Sequence, residues 1–154
     1  MSAEENSGPF ILRVYGLIFS NQNHILTTKE WYGLQWIIKF PGGGLKLGEG
    51  TKEALSREIN EELNIALEPE LWNHYYTTDF YQPSAFDPKK QVMSIYYRWP
   101  VLFEHEELEN IIYKNQVPSD KLERFYLKNL DYLNPQEFTL PIDRHVASML
   151  VAHN

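Results

Sequence analysis

PGGGLKLGEGTKEALSREINEELNI, Pro41 to Ile65, is the stretch from which the rest of the chain can be read. Pro41 to Gly50 holds five of the chain's eight glycines. That much backbone freedom argues against a regular element, so a loop is expected. Thr51 is a good N-cap, and Lys52 to Leu63 then carries Leu55, Ile59 and Leu63 at i, i+4 and i+8, the apolar ridge of a helix. Asn64 is placed to end it in the left-handed conformation. At 100° per residue Glu58, Glu61 and Glu62 share an arc of about 100°, centred about 100° round from that ridge. Repulsion between carboxylates so spaced costs a few tenths of a kcal/mol per pair. The close cation is Arg57, four residues before Glu61. By itself an acidic helix face is ordinarily a solvated one. A divalent ion would turn the crowding to advantage, because hard cations take oxygen ligands and keep positions open for substrate phosphates.

Outward from this segment the chain alternates strand and helix signals. Ile11 to Phe19 reads as a strand, Ser20 to Asn23 as a turn, and His24 to Thr28 as a second strand pairing back on the first. Gln35 to Phe40 is a third, stopped by Pro41. Beyond the helix, aromatic-rich strands are expected at Trp72 to Tyr81 and Val92 to Phe103, separated by a loop at Gln82 to Lys90, with a shorter strand near Leu122 to Leu127. After Pro141, the spacing of Ile142, Val146, Met149 and Leu150 predicts a closing helix packed on the core. The expectation is an α/β fold, a mixed β-sheet sandwiched between α-helices. At 154 residues it forms one domain, residues 10–154, behind a flexible segment, residues 1–9.

Composition narrows the function classes. With 43% hydrophobic and 23% charged residues the chain is an ordinary globular one. Its start is polar and acidic and it has no long apolar run, so a cytoplasmic address and no membrane partner are expected. Having no cysteine, it offers no disulfide, thiolate metal site or cysteine nucleophile. A formal charge of -7 argues against nucleic-acid polymers. It leaves room for a small phosphate ligand if a divalent cation lies between the negative charges.

Taken in order, Gly43, Glu49, Arg57, Glu58, Ile59, Glu61, Glu62 and Ile65 reproduce the spacing of the Nudix box, with Pro41 and Gly42 leading in. The chain thus resembles the Nudix hydrolases. One position departs: the box usually has Gly before its last aliphatic, where this chain has Asn64, the non-Gly residue that most readily takes φ > 0. The resemblance implies hydrolysis of a phosphoanhydride bond in a small nucleoside-diphosphate derivative with Mg2+ or Mn2+. It implies Glu58, Glu61 and Glu62 as metal ligands, with the Gly43 carbonyl as a further one. Glu49 and Arg57 would form a supporting ion pair that fixes the loop on the helix. A homodimer is a frequent arrangement in the family.

A general base is also required. The resemblance leaves a choice between Glu58 and a distal carboxylate, for which Glu123 is the first candidate and Glu104, Glu106 and Glu107 are weaker ones. Trp72, Tyr75, Tyr76, Tyr81, Tyr96, Tyr97 and Trp99 could offer a base-stacking ring, though most belong in a core. Tyr81 to Phe86 is where several Nudix subfamilies place a specificity loop, without matching any one of them. Lys89, Lys90 and Arg144 are possible phosphate contacts, and His145 is structural or exposed. A non-catalytic nucleotide sensor of the same fold is the alternative, disfavoured by the intact carboxylate set. An isomerase of this fold depends on a cysteine that the chain lacks.

Overall fold

The computed structural model describes residues 8–116 and 122–153. Along these residues run β1 (Phe10–Leu17), β2 (His24–Tyr32), β3 (Gln35–Lys39), β4 (Gly42–Gly44), α1 (Thr51–Leu63), β5 (Asn73–Thr77), β6 (Gln91–Arg98), α2 (His105–Asn115), β7 (Glu123–Asn129) and α3 (Pro141–Ala152). The α/β class is as expected, with the described strands in two sheets. The chain divides into two compact units, one of residues up to Gly16 with Gly42–Pro100, the other of Leu17–Pro41 with residues from Val101 onward. Residues 1–7 of the expected flexible segment lie outside the described residues. Pro9 is tied by its carbonyl, which accepts from the Gln91 N–H at 2.9 Å.

In the first unit the strand order is β4-β1-β6-β5. Part of the glycine-rich segment expected as a loop is the short strand β4, antiparallel to β1 with Val14 opposite Gly43 and Tyr15 opposite Gly42. Glycine permits this because β4 lies flush on its neighbour. A Cβ at Gly42, whose φ is +153°, would stand 2.0 Å from the Val14 carbonyl oxygen. Helix α1 buries Leu55, Ile59 and Leu63. Burial of each contributes about 1.5–3 kcal/mol, against a few tenths for each carboxylate repulsion, so the ridge decides that the helix forms. Its N-cap is Gly50, not Thr51: the Gly50 carbonyl accepts from Ala54 N–H at 2.9 Å, and the Thr51 hydroxyl is hydrogen-bonded to Tyr97 Oη. Asn64 stops the helix at φ 56°, ψ 35°. Behind α1, Trp72 Nε1 donates to Ser56 Oγ at 2.9 Å and meets Trp99 edge-on at 5.0 Å. Trp72 precedes β5 instead of opening it, and the strand ends at Thr77, short of the expected Tyr81, with Tyr76 Oη donating at 2.6 Å to Asp79 just past its end.

In the second unit the order is β3-β2-β7. β2 runs four residues past the expected Thr28, because Gly33 at φ +66° makes a two-residue turn with Leu34 that returns the chain as β3. The pairing of β2 back on the first strand shrinks to residues 18–20 against 24–26, with Leu26 N–H donating to Ile18 O at 2.9 Å. Both edges of β2 are occupied by β3 and β7. Helix α2 was not expected. Its buried residues are Leu108 and Ile112, too few to announce a ridge, and its start is held from elsewhere, Asn21 Oδ1 accepting from His105 N–H at 3.0 Å. α3 buries Ile142, Val146 and Leu150 as its spacing predicts. Phe138, just before it, stacks on Phe40 at 4.6 Å. No helix among the described residues is long and apolar enough to cross a membrane.

Candidate functional site

The turn between β4 and α1 is held by one guanidinium. Arg57 donates from Nε and Nη2 to the two oxygens of Glu49, at 3.0 and 2.7 Å. The same Nη2 reaches the Gly44 carbonyl at 3.1 Å, while Nη1 reaches Glu58 at 3.2 Å and Glu61 at 3.3 Å. Glu49 also accepts from Lys46 N–H at 2.8 Å. This is the planar fork that Arg supplies and Lys does not. The hydrogen-bonded guanidinium holds the Glu49 carboxyl below the usual range.

Glu58 is seated in a place only glycine can leave open. A Cβ on Gly43 would lie 2.3 Å from Glu58 Cδ and 2.4 Å from its Oε1. With the side chain 14% exposed, burial pushes the Glu58 carboxyl above the usual range, and Glu61 adds to the rise. Arg57 and, more weakly, Arg13 pull it back. Glu61 is more than half exposed. Glu62 is half-buried, with Oε2 out of reach of solvent.

Gly43, Glu49, Arg57, Glu58 and Glu61 are therefore gathered around one turn, with Glu62 beside them on the helix. Among the described residues no three His, Asp or Glu side chains yet stand close enough to enclose a cation. In residue type the set fits a hard divalent ion: oxygen donors only, one of them seated on a glycine backbone and one with an oxygen shielded from water.

Glu123 belongs to the other unit. It opens β7, accepts from Thr28 Oγ1 at 3.2 Å and lies 3.6 Å from Lys39 Nζ, which is also 3.8 Å from Glu30. Burial pushes its carboxyl up, Lys39 opposes that, and Glu30 adds to it. Glu104 is the main-chain cap of α2, with Glu106 and Glu107 exposed in its first turn. Of the aromatic candidates Trp72, Tyr76, Tyr96, Tyr97 and Trp99 are core, while Tyr81 is exposed. Arg144 donates to the Phe138 carbonyl at 2.7 Å, and His145 is exposed. Spacing does not single out Arg13 or Lys39. The signal available for both is a cation within a largely apolar strand.

The family model of the NUDIX domain matches residues 9–146. The chain belongs to the Nudix family. Membership carries the family's general chemistry, hydrolysis of a pyrophosphate linkage. No curated protein matches this Nudix chain. Among solved structures it is similar to a MutT protein from Methanosarcina mazei Go1, 19% identical over 95% of this chain and 96% of that one, with a TM-score of 0.66. A MutT Nudix hydrolase from Burkholderia pseudomallei is 20% identical over 94% and 98%, with a TM-score of 0.62. A Nudix hydrolase from Nitrosomonas europaea is 17% identical over 93% and 89%, with a TM-score of 0.64. At these identities the likeness is one of fold.

Proposed function

We propose that this Nudix chain is a divalent-metal-dependent hydrolase of a small nucleoside-diphosphate derivative: ADP-ribose, a dinucleotide, a nucleotide sugar or a nucleoside triphosphate. Glu58, Glu61 and Glu62, with the Gly43 carbonyl, would hold Mg2+ or Mn2+. The observation that carries the reading is the seating of the Glu58 carboxylate on Gly43, which brings strand β4 and helix α1 together at an acidic group. A cation held by these residues would neutralise charge on phosphate oxygens and lower the pKa of a water. Arg57 keeps the turn in shape through Glu49 and Gly44 while it moderates the repulsion between Glu58 and Glu61.

The experiment that tests this needs no substrate. Helix α1 carries the three carboxylates within two turns, and they separate when the chain unfolds, so a divalent ion that draws them together should favour the folded state. At about 100 times its dissociation constant, linkage adds roughly 2.7 kcal/mol. Melting temperature should rise by about several degrees with Mg2+ or Mn2+, and much less with sodium chloride of equal ionic strength. The Glu61→Gln, Glu62→Gln double variant should lose this response. A double variant that responds as the parent does would place the ion elsewhere and end the proposal. The substrate class is then found by screening these nucleotides for phosphatase-coupled phosphate release.

For the proton acceptor, Glu58 and Glu123 are the candidates. A carboxyl raised by burial is the better base near neutral pH. If Glu123 accepts the proton, Glu123→Gln lowers kcat and leaves Mn2+ affinity unchanged, whereas Glu58→Gln weakens both. Because Lys39 is buried against Glu123, the substitution is also expected to lower stability by about 1–3 kcal/mol, visible in denaturant melts. Equal, small effects on kcat from Glu123→Gln and Glu104→Gln would leave Glu58 as the base.

A further inference from the structure

The turn that leads into β2 and the start of α2 meet in a polar corner. Phe103 N–H donates to Phe19 O at 2.9 Å, Asn21 N–H donates to Phe103 O at 2.8 Å, and Asn21 Oδ1 accepts from His105 N–H. Two imidazoles stand here, His24 from β2 and His105 from α2, one ring edge-on to the other with centroids 4.6 Å apart. Their partners decide where the ring hydrogens lie. A carbonyl oxygen can only accept, so His24 Nδ1 donates to Gln22 O at 2.7 Å. Ser20 Oγ accepts from Gln22 N–H at 3.2 Å, which turns its own hydrogen toward His105 Nδ1 at 2.9 Å. His105 Nε2 then carries the ring hydrogen, 3.7 Å from Glu109.

Each imidazole has one nitrogen left to take a proton, and the corner is weakened in both cases. On His105 that nitrogen is Nδ1, so protonation reverses the bond to Ser20 and deprives the hydroxyl hydrogen of its acceptor in a residue 2% exposed. The charge would also stand at the N-terminal end of α2, where the helix dipole disfavours a cation. A second proton, on His24 Nε2, sets like charge against like across the ring contact. The surrounding carboxylates offset little of this. Glu109 is 60% exposed, Glu104, Glu106 and Glu107 are exposed too, and Asp131, just past β7, accepts from Asn23. Nor is α2 strongly held elsewhere, since it buries Leu108 and Ile112 where α1 and α3 each bury five residues. We propose that this corner is a pH-sensitive latch, which holds the start of α2 while both imidazoles are neutral and releases it when they are protonated. Imidazole is the side chain that ordinarily changes charge between about pH 5 and 8. Release reaches β7 as well, because Gln116 Oε1 at the far end of α2 accepts from Phe125 N–H at 2.5 Å.

Amide hydrogen exchange followed by NMR tests the latch on the parent chain, with rates expressed as protection factors so that the intrinsic effect of pH on exchange is removed. Between about pH 7.5 and 5.5 the protection of α2 is expected to fall about tenfold or more relative to that of α1 and α3, the effect of one buried hydroxyl left unpaired. His105→Asn, whose side-chain carbonyl can accept from Ser20 Oγ at every pH, should hold α2 protection to within about twofold across this range. His24→Phe keeps the ring contact without the second charge and should show a smaller fall than the parent. If a variant does not fold, the ring 15N shifts of the parent decide: His105 Nδ1 should gain its proton over the pH range in which α2 loses protection. Three results overturn the latch: α2 protection that falls no more than that of α1 and α3, a His105→Asn chain that responds as the parent does, or ring protonation and loss of protection at separate pH values.

Discussion

A Glu62→Gln protein is expected to fold as the parent does and to lose about three orders of magnitude in turnover. Gln keeps the shape and hydrogen-bonding reach of Glu while removing its negative charge. On the proposed reading Glu62 is a ligand of the cation, and loss of one such ligand would remove several kcal/mol of transition-state stabilisation, each ~1.4 kcal/mol being tenfold in rate. Glu62 is the sharpest place to apply this, because one of its oxygens is already shielded from water. The change is read as metal-dependent phosphate release alongside the melting temperature. A folded variant with near-normal turnover would remove this helix face from the mechanism.

Gly43→Ala should lower kcat/KM by about a hundredfold with only a modest drop in stability, of about 1 kcal/mol. The added methyl would meet the Glu58 carboxylate at 2.3 Å, and that carboxylate is the far end of a flexible side chain, so it moves aside and the fold persists. The displacement is what costs activity, since a shift of about 1 Å in a reacting constellation can cost about 10²-fold. Gly42→Ala is the contrasting control. There the methyl meets the Val14 carbonyl and the Tyr15 backbone, which cannot step aside, and φ is +153°, so stability is what falls. Equal losses of stability in the two variants, with activity tracking folded protein alone, would show Gly43 to be structural in the same sense as Gly42.

The parts of the fold that could be read in the sequence are those whose signals are local. The ridge of α1, its stop at Asn64 and the ridge of α3 are patterns within a dozen residues, and the structure has them. The box could be read for the same reason: the Arg57–Glu49 fork joins residues eight apart. Features set by distant neighbours could not. Three glycines look like a loop until β1 lies beside them, and the helical start of Thr51 depends on where its hydroxyl finds Tyr97, 46 residues on. α2 escaped because its start is secured by Asn21, 84 residues before it, and not by a capping pattern of its own. Glu123 had a carboxylate to recommend it, but nothing local announced Lys39 as its partner.

The two sheets differ in when a growing chain could complete them. Everything the first needs, β1, β4, β5 and β6, has been made once Arg98 leaves the ribosome. The second does not have that option: β2 and β3 can meet across their two-residue turn at once, yet Thr28 must wait for Phe125 and Glu30 for Glu123. For the time it takes to synthesise more than ninety residues, one edge of β2 has no strand to pair with, and Lys39 lacks one of its two carboxylates. Unpaired strand edges are where nascent chains find wrong partners. Lys29 and Glu30 near the end of that edge are charges of the kind that keep such an edge in water until its own partner arrives.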